Sequence, residues 1–142
     1  MSTFFPNTYV CFKLKSSNPE IDYLSVGGEH LESLGIKKGD EVIVPESTWI
    51  ASVAPIVHLG AKPVFVDTFQ ENNFSLDLNA FSNAINEKTK LVIINSPSNP
   101  TGITFTRSDY ESIGAILENY PNAYVATDDM YEYCLLYKSD AA

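Results

Sequence analysis

Four short runs along the chain are rich in Val, Ile and aromatic residues and lack the strict alternation of a half-exposed strand: Glu41-Val-Ile-Val44, Lys62-Pro-Val-Phe-Val-Asp67, Leu91-Val-Ile-Ile94 and Tyr124-Val-Ala-Thr127. Each ends in polar or turn-forming residues, which predicts strands buried on both faces. Helical stretches lie between them. Trp49 to Leu59 is stopped by Gly60, Leu78 to Ile85 is entered through Asp77 as a cap, and Ser108 to Asn119 is stopped by Tyr120-Pro121. Strand and helix alternate throughout, which predicts an α/β fold with a mostly parallel sheet and helices on both faces. Such sheets bind ligands beyond the carboxyl ends of their strands. Functional residues are therefore sought just after Val44, Asp67, Ile94 and Thr127. Residues Met1 to Glu29 mix Pro6, Asn7, Pro19, Gly27 and Gly28 with isolated apolar residues and follow neither period, so 1–30 is left unassigned.

Composition narrows the function classes. With 142 residues and 44% hydrophobic content, one globular unit with a proper core is expected. A formal net charge of −9 and no Lys/Arg cluster argue against nucleic acid or an anionic membrane surface as partner. Cys11 and Cys134 show no metal-ligand spacing and no disulfide framework, so no metal site is expected and a reducing, cytoplasmic setting fits. No run approaches the roughly 18 apolar residues of a membrane helix, and Met1 to Tyr9 lacks the pattern of a signal peptide.

The strand ends carry the candidate chemistry. After the third run comes Asn95-Ser-Pro-Ser-Asn-Pro-Thr-Gly102, a polar loop with two prolines where a short turn would suffice. After the fourth comes Asp128-Asp129-Met-Tyr131, a carboxylate and a phenol three residues apart at a strand terminus. Each has an ordinary alternative, since Asn-Pro-Thr-Gly is a common turn and an acidic strand end is often a helix cap. Their combination and order carry the functional reading.

That combination closely resembles the class I/II aminotransferases, the aspartate-aminotransferase-like enzymes of fold type I that use pyridoxal 5'-phosphate. The resemblance implies that Asn99 and Tyr131 hydrogen-bond the phenolic oxygen of the cofactor and that Asp128 pairs with its pyridine nitrogen. A carboxylate there keeps the ring protonated and makes it a better electron sink for the carbanion formed at the substrate α-carbon. Asp129 stands where the family usually has Glu. Upstream, Gly39-Asp-Glu-Val-Ile-Val-Pro-Glu-Ser-Thr-Trp-Ile-Ala-Ser52 and Leu59-Gly-Ala-Lys-Pro-Val-Phe-Val-Asp67 are similar to the same fold, with a flavour of its sugar-nucleotide aminotransferases. Trp49 then matches the aromatic residue that stacks on the pyridine ring, its alternative being a core anchor at a helix start. His58 reads as a packed or surface histidine. The Asn99–Pro100 bond is expected to be cis, as in the family loop.

The resemblance covers 31–133, read as part of the large transferase domain. No catalytic residue is assigned, because the family's Schiff-base lysine follows tens of residues beyond Tyr131 and its substrate-gripping arginine later still. Gly27-Gly28-Glu29-His30 lies too close to Gly39 to be the family's phosphate turn. Residues 134–142, Cys134-Leu-Leu-Tyr-Lys-Ser-Asp-Ala-Ala142, are similar to translated read-through of a sequencing adapter, differing at Lys138, and are expected to be an artefactual tail, although the run also suits the family. The implied function is amino-group transfer between an amino acid and a 2-oxo acid by a homodimeric parent enzyme, the chain alone being inactive. Alternatives are another fold type I enzyme (a lyase, a decarboxylase or a sugar aminotransferase) or a non-catalytic α/β fragment. Asn99, Asp128 and Tyr131 do not separate the enzyme readings, because they tune the cofactor and not the bond that breaks.

Overall fold

A computed structural model describes residues 9–11, 31–69 and 74–128. Its main sheet has five strands in the order β1 (Tyr9–Cys11), β7 (Tyr124–Asp128), β6 (Thr89–Asn95), β2 (Glu41–Pro45), β3 (Lys62–Val66), and every pairing is parallel. Among the described residues, the helices with both ends defined are α1 (Ile50–His58), α2 (Leu78–Ala84) and α3 (Arg107–Leu117). A second, two-stranded antiparallel piece pairs β4 (Thr68–Phe69) with β5 (Ser75–Leu76). The expected α/β architecture is the one found.

Alternation along each strand assigns its side chains to two layers. Ile43, Val92, Ile94 and Val125 pack with Phe81 and Ile85 from the α2 segment and Ile113 and Leu117 of α3. Val42, Val44, Leu91, Ile93 and Ala126 pack on the other face with Val53 and Ile56 of α1 and with Leu31 and Ile36. The sheet is thus buried on both faces at its centre, which explains the near-continuous apolar runs.

Local signals set the element ends. Asp77 Oδ1 caps α2 by accepting from Asn79 N at 2.8 Å and Ala80 N at 3.1 Å. Gly60, at φ +73°, turns the chain after α1 into a conformation that side-chain-bearing residues avoid. Helix α3 begins one residue before the expected Ser108 because Thr106 and Asp109 form a capping box, Thr106 N donating to Asp109 Oδ2 at 2.7 Å.

Three expectations need correction. Strand β3 is not buried on both faces: it lies at the sheet edge among the described residues, with Lys62 and Phe65 exposed. Pro63 fits there, since an edge strand has one side that needs no N–H donor. Within the unassigned N-terminal segment, Tyr9–Cys11 forms a strand on β7, with Tyr9 opposite Val125. The β4–β5 hairpin was not expected, its strands being two residues each. The remainder of 1–30 and all of 134–142 lie outside the described residues. No helix among the described residues is long and apolar enough to cross a membrane.

Candidate functional site

The carboxyl ends of three adjacent strands, β7, β6 and β2, converge on one edge of the sheet. Asp128 ends β7, the loop 96–106 leaves β6, and Glu46-Ser-Thr-Trp49 leaves β2. Neighbouring strands are about 4.8 Å apart, so these three ends span about 10 Å, the width of a small substituted ring.

The loop after β6 is held from inside and from both sides. Ser98 N donates to Ile103 O and Gly102 N to Ser98 O, both at 2.8 Å, which closes the loop on itself. Gly102 adopts φ +73°, and a Cβ there would meet nothing within 4 Å, so glycine is required by conformation and not by crowding. Ser96 Oγ accepts from Phe105 N at 3.0 Å. Toward β7, the buried Asn95 donates from Nδ2 to Asp128 O at 3.0 Å and accepts at Oδ1 from Asn99 N at 2.7 Å. Toward β2, Ser98 Oγ donates to Ser47 O at 3.4 Å, while Ser47 Oγ accepts from Thr68 Oγ1 at 2.9 Å. The Asn99–Pro100 bond is cis, as expected, and so is Ser96–Pro97.

Of the residues singled out from the sequence, Asn99 is half-buried within this loop, and Asp128 is half-buried as the register partner of Asn95. Trp49 is the N-cap residue of α1, where its side chain makes no cap bond, and it is 52% exposed. A core anchor would be covered, so this exposure does not favour the alternative reading of Trp49. Tyr131 and Asp129 lie outside the described residues. His58 is exposed in the last turn of α1.

The carboxyl ends of these strands bring a carboxylate, a carboxamide and a half-exposed indole to one end of the sheet. Beside them Thr48 Oγ1 is buried and has no partner among the described residues. A buried hydroxyl left unbonded carries a penalty that a polar ligand would relieve. A flat, polar, heteroaromatic group with an ionisable nitrogen suits that donor and acceptor set.

Sequence reasoning missed Asn95, Thr48 and the serines of the two loops. In the sequence Asn95 stands as the first loop residue, yet an Asn directly abutting an apolar run is a signal that it closes a buried strand.

Comparison with known proteins agrees with this geometry. The family model described as aminotransferase class I and II matches residues 27–142. The aspartate/prephenate aminotransferase of Nitrosomonas europaea is 40% identical over 101 residues, covering 71% of this chain and 25% of that protein. The aspartate aminotransferase of Bacillus subtilis is 38% identical over 93 residues, covering 66% of this chain and 23% of that protein. Among solved structures, the aspartate aminotransferase of Rhizobium meliloti superposes with a TM-score of 0.73 at 28% identity, over 82% of this chain and 28% of that one. The aromatic aminotransferase of Pyrococcus horikoshii gives 0.68 at 31% identity, over 75% and 28%. The chain spans a third or less of the length of the curated relatives it matches. The row of strand ends, the loop Asn95 to Gly102 and these likenesses agree on one assignment: the chain belongs to the class I and II aminotransferase family.

Proposed function

We propose that the chain supplies the cofactor-ring site of a pyridoxal-phosphate-dependent aminotransferase, whose whole parent enzyme moves an amino group between an amino acid and a 2-oxo acid. The observation that carries the reading is the loop after β6, tied on one side to the end of β7 and on the other to the loop after β2. Trp49, Asn99 and Asp128 come from the carboxyl ends of three adjacent strands.

Bound in such a site, pyridoxal phosphate supplies an electron sink for the charge that develops at the amino acid α-carbon. The residues of this chain hold that sink in place and tune it. Asp128 would pair with the ring nitrogen and hold its proton, Asn99 and Tyr131 would hydrogen-bond the phenolic oxygen, and Trp49 would stack on the ring and keep its plane fixed. Thr48 Oγ1 offers one further hydrogen bond. The lysine and the carboxylate-binding arginine that the reaction needs are sought in the remainder of the parent, since the chain spans only part of its relatives' length. Lys88 and Lys90 lie at the amino end of β6, opposite the site.

The names of the relatives make aspartate the first amino donor to test. The parent should take up pyridoxal phosphate stoichiometrically, seen by absorbance, and transfer the amino group of aspartate to a 2-oxo acid. The 142-residue chain alone should bind the cofactor weakly and reversibly and turn over no amino acid. Borohydride reduction followed by peptide mapping checks this. A stoichiometric single-lysine adduct on the isolated chain, with turnover, would overturn the division of labour proposed here.

A further inference from the structure

Asn95 is 3% exposed and is the last residue of β6, a strand whose buried residues are otherwise apolar except for Thr89. Burying a carboxamide is costly unless both its donor and its acceptor are used. Both are used, and on different elements. Nδ2 donates to the Asp128 carbonyl across the sheet, and Oδ1 accepts from the Asn99 N–H four residues on in the loop. The main chain adds a third tie, Ser96 N donating to the same Asp128 carbonyl at 3.4 Å. One buried amide therefore joins the backbones of the two residues assigned to different atoms of the cofactor ring.

We infer that Asn95 is a positioning residue: it touches neither substrate nor cofactor, and sets the loop that carries Asn99 against the strand end that carries Asp128. This rests on the pyridoxal-phosphate reading of the site. The geometry requires a short side chain with one donor and one acceptor on a rigid fork. Leucine, of similar volume, serves neither partner, and aspartate serves only the Asn99 N–H. Displacing the loop alters the hydrogen bond to the phenolic oxygen and the charge pairing at the ring nitrogen together, so the two should fail as a unit.

The test is a double-variant cycle in the full parent enzyme, read by cofactor affinity and by the pH titration of the bound cofactor's absorbance. Asn95→Leu should weaken cofactor binding about tenfold or more, the equivalent of one to two lost hydrogen bonds. It should also displace the absorbance titration, which a side chain of purely structural role would leave unmoved. In Asn95→Leu/Asn99→Ala the two losses should be clearly less than multiplicative, because Asn95 acts through Asn99. Asn95→Asp keeps the shape and the acceptor and turns an oxygen toward the Asp128 carbonyl, so it carries the same cycle should the leucine variant not fold. Multiplicative losses with a wild-type titration, in whichever variant folds, would overturn the inference alone. A wild-type parent that takes up no pyridoxal phosphate would overturn the reading of the site and this inference with it.

Discussion

The two ends of the sheet use polar side chains in different ways. At the amino ends, Glu41 of β2 accepts from Lys62 Nζ at 3.0 Å and from Asn86 Nδ2 at 2.8 Å, and Asn86 Oδ1 accepts from Lys88 N at 2.9 Å. These groups bond to one another at the rim of the sheet. At the carboxyl ends, the side chains of Asn95 and Ser98 bind main-chain atoms of other segments and that of Ser96 closes its own loop, while Trp49 is half uncovered and Thr48 Oγ1 has no partner among the described residues. One end is a staple and the other a mould. Substitutions at the carboxyl end should therefore damage chemistry more than stability, and those at the amino end the reverse.

The strongest challenge to that contrast is Asp128→Ala in the parent enzyme. Steady-state transamination should slow by roughly 10²–10³-fold, the scale found when one preorganised electrostatic group is removed, with the melting temperature little changed. If Asp129→Ala is instead the crippling change, the assignment of the ring-nitrogen partner is off by one residue. Next in size is Trp49→Ala. Loss of ring stacking should weaken pyridoxal phosphate binding by about 0.5–1.5 kcal/mol, up to about tenfold by titration, with no loss of thermal stability because the indole is half exposed. A large drop in melting temperature would return Trp49 to the core. Helix capping gives an effect of similar size but confined to stability: Thr106→Ala removes half of the capping box and should cost about 1 kcal/mol in denaturant unfolding, leaving cofactor affinity unchanged.

The smallest effect belongs to the amino end and depends on pH. Hydrogen bonds from Asn86 and then Lys62 hold the Glu41 carboxyl below its ordinary range, against a smaller opposing push from burial. A carboxylate with a depressed folded-state pKa stabilises fully above its unfolded value, about 4.3, and ceases to do so as pH falls through the lower folded value. Glu41→Gln should thus cost at most about 1 kcal/mol at neutral pH, because Lys62 is largely exposed, and the gap to wild type should close in acid. A gap that widens below pH 4 would contradict the cause assigned.

Much of this molecule could be read along the chain, for identifiable reasons. Strands β2, β6 and β7 were visible because both sheet faces demand apolar side chains, so Val42 to Val44 and Leu91 to Ile94 form unbroken runs. Asp77 and Gly60 announce their roles by residue type. The edge position of β3 was signalled by Lys62-Pro63 but overruled by the apolar Val-Phe-Val that follows. The hairpin of β4 and β5 left no trace, since two-residue strands have no period to detect. At the candidate site, a motif proposes Asn99 and Asp128 but not Asn95, because what distinguishes Asn95 is burial and two partners, one of them 33 residues away. Residues that meet a ligand can leave a motif in the sequence; those that hold them in place are known only from contacts.

Strand β3 has one more consequence, for colloidal behaviour. An open strand edge can template pairing between molecules, and at β3, an edge of the sheet among the described residues, Phe65 is more than half exposed, as are Val57 and Ile50 on α1. Two residues oppose that association: Lys62 puts a charge on the edge, and Pro63 offers no N–H to an incoming strand. The other safeguard is the overall charge of −9, which repels like molecules at neutral pH and vanishes near the isoelectric point of about 4.5. Aggregation of the chain should therefore set in on mild acidification, well before its core opens, and Pro63 is the residue whose replacement by valine would bring that threshold closer to neutrality.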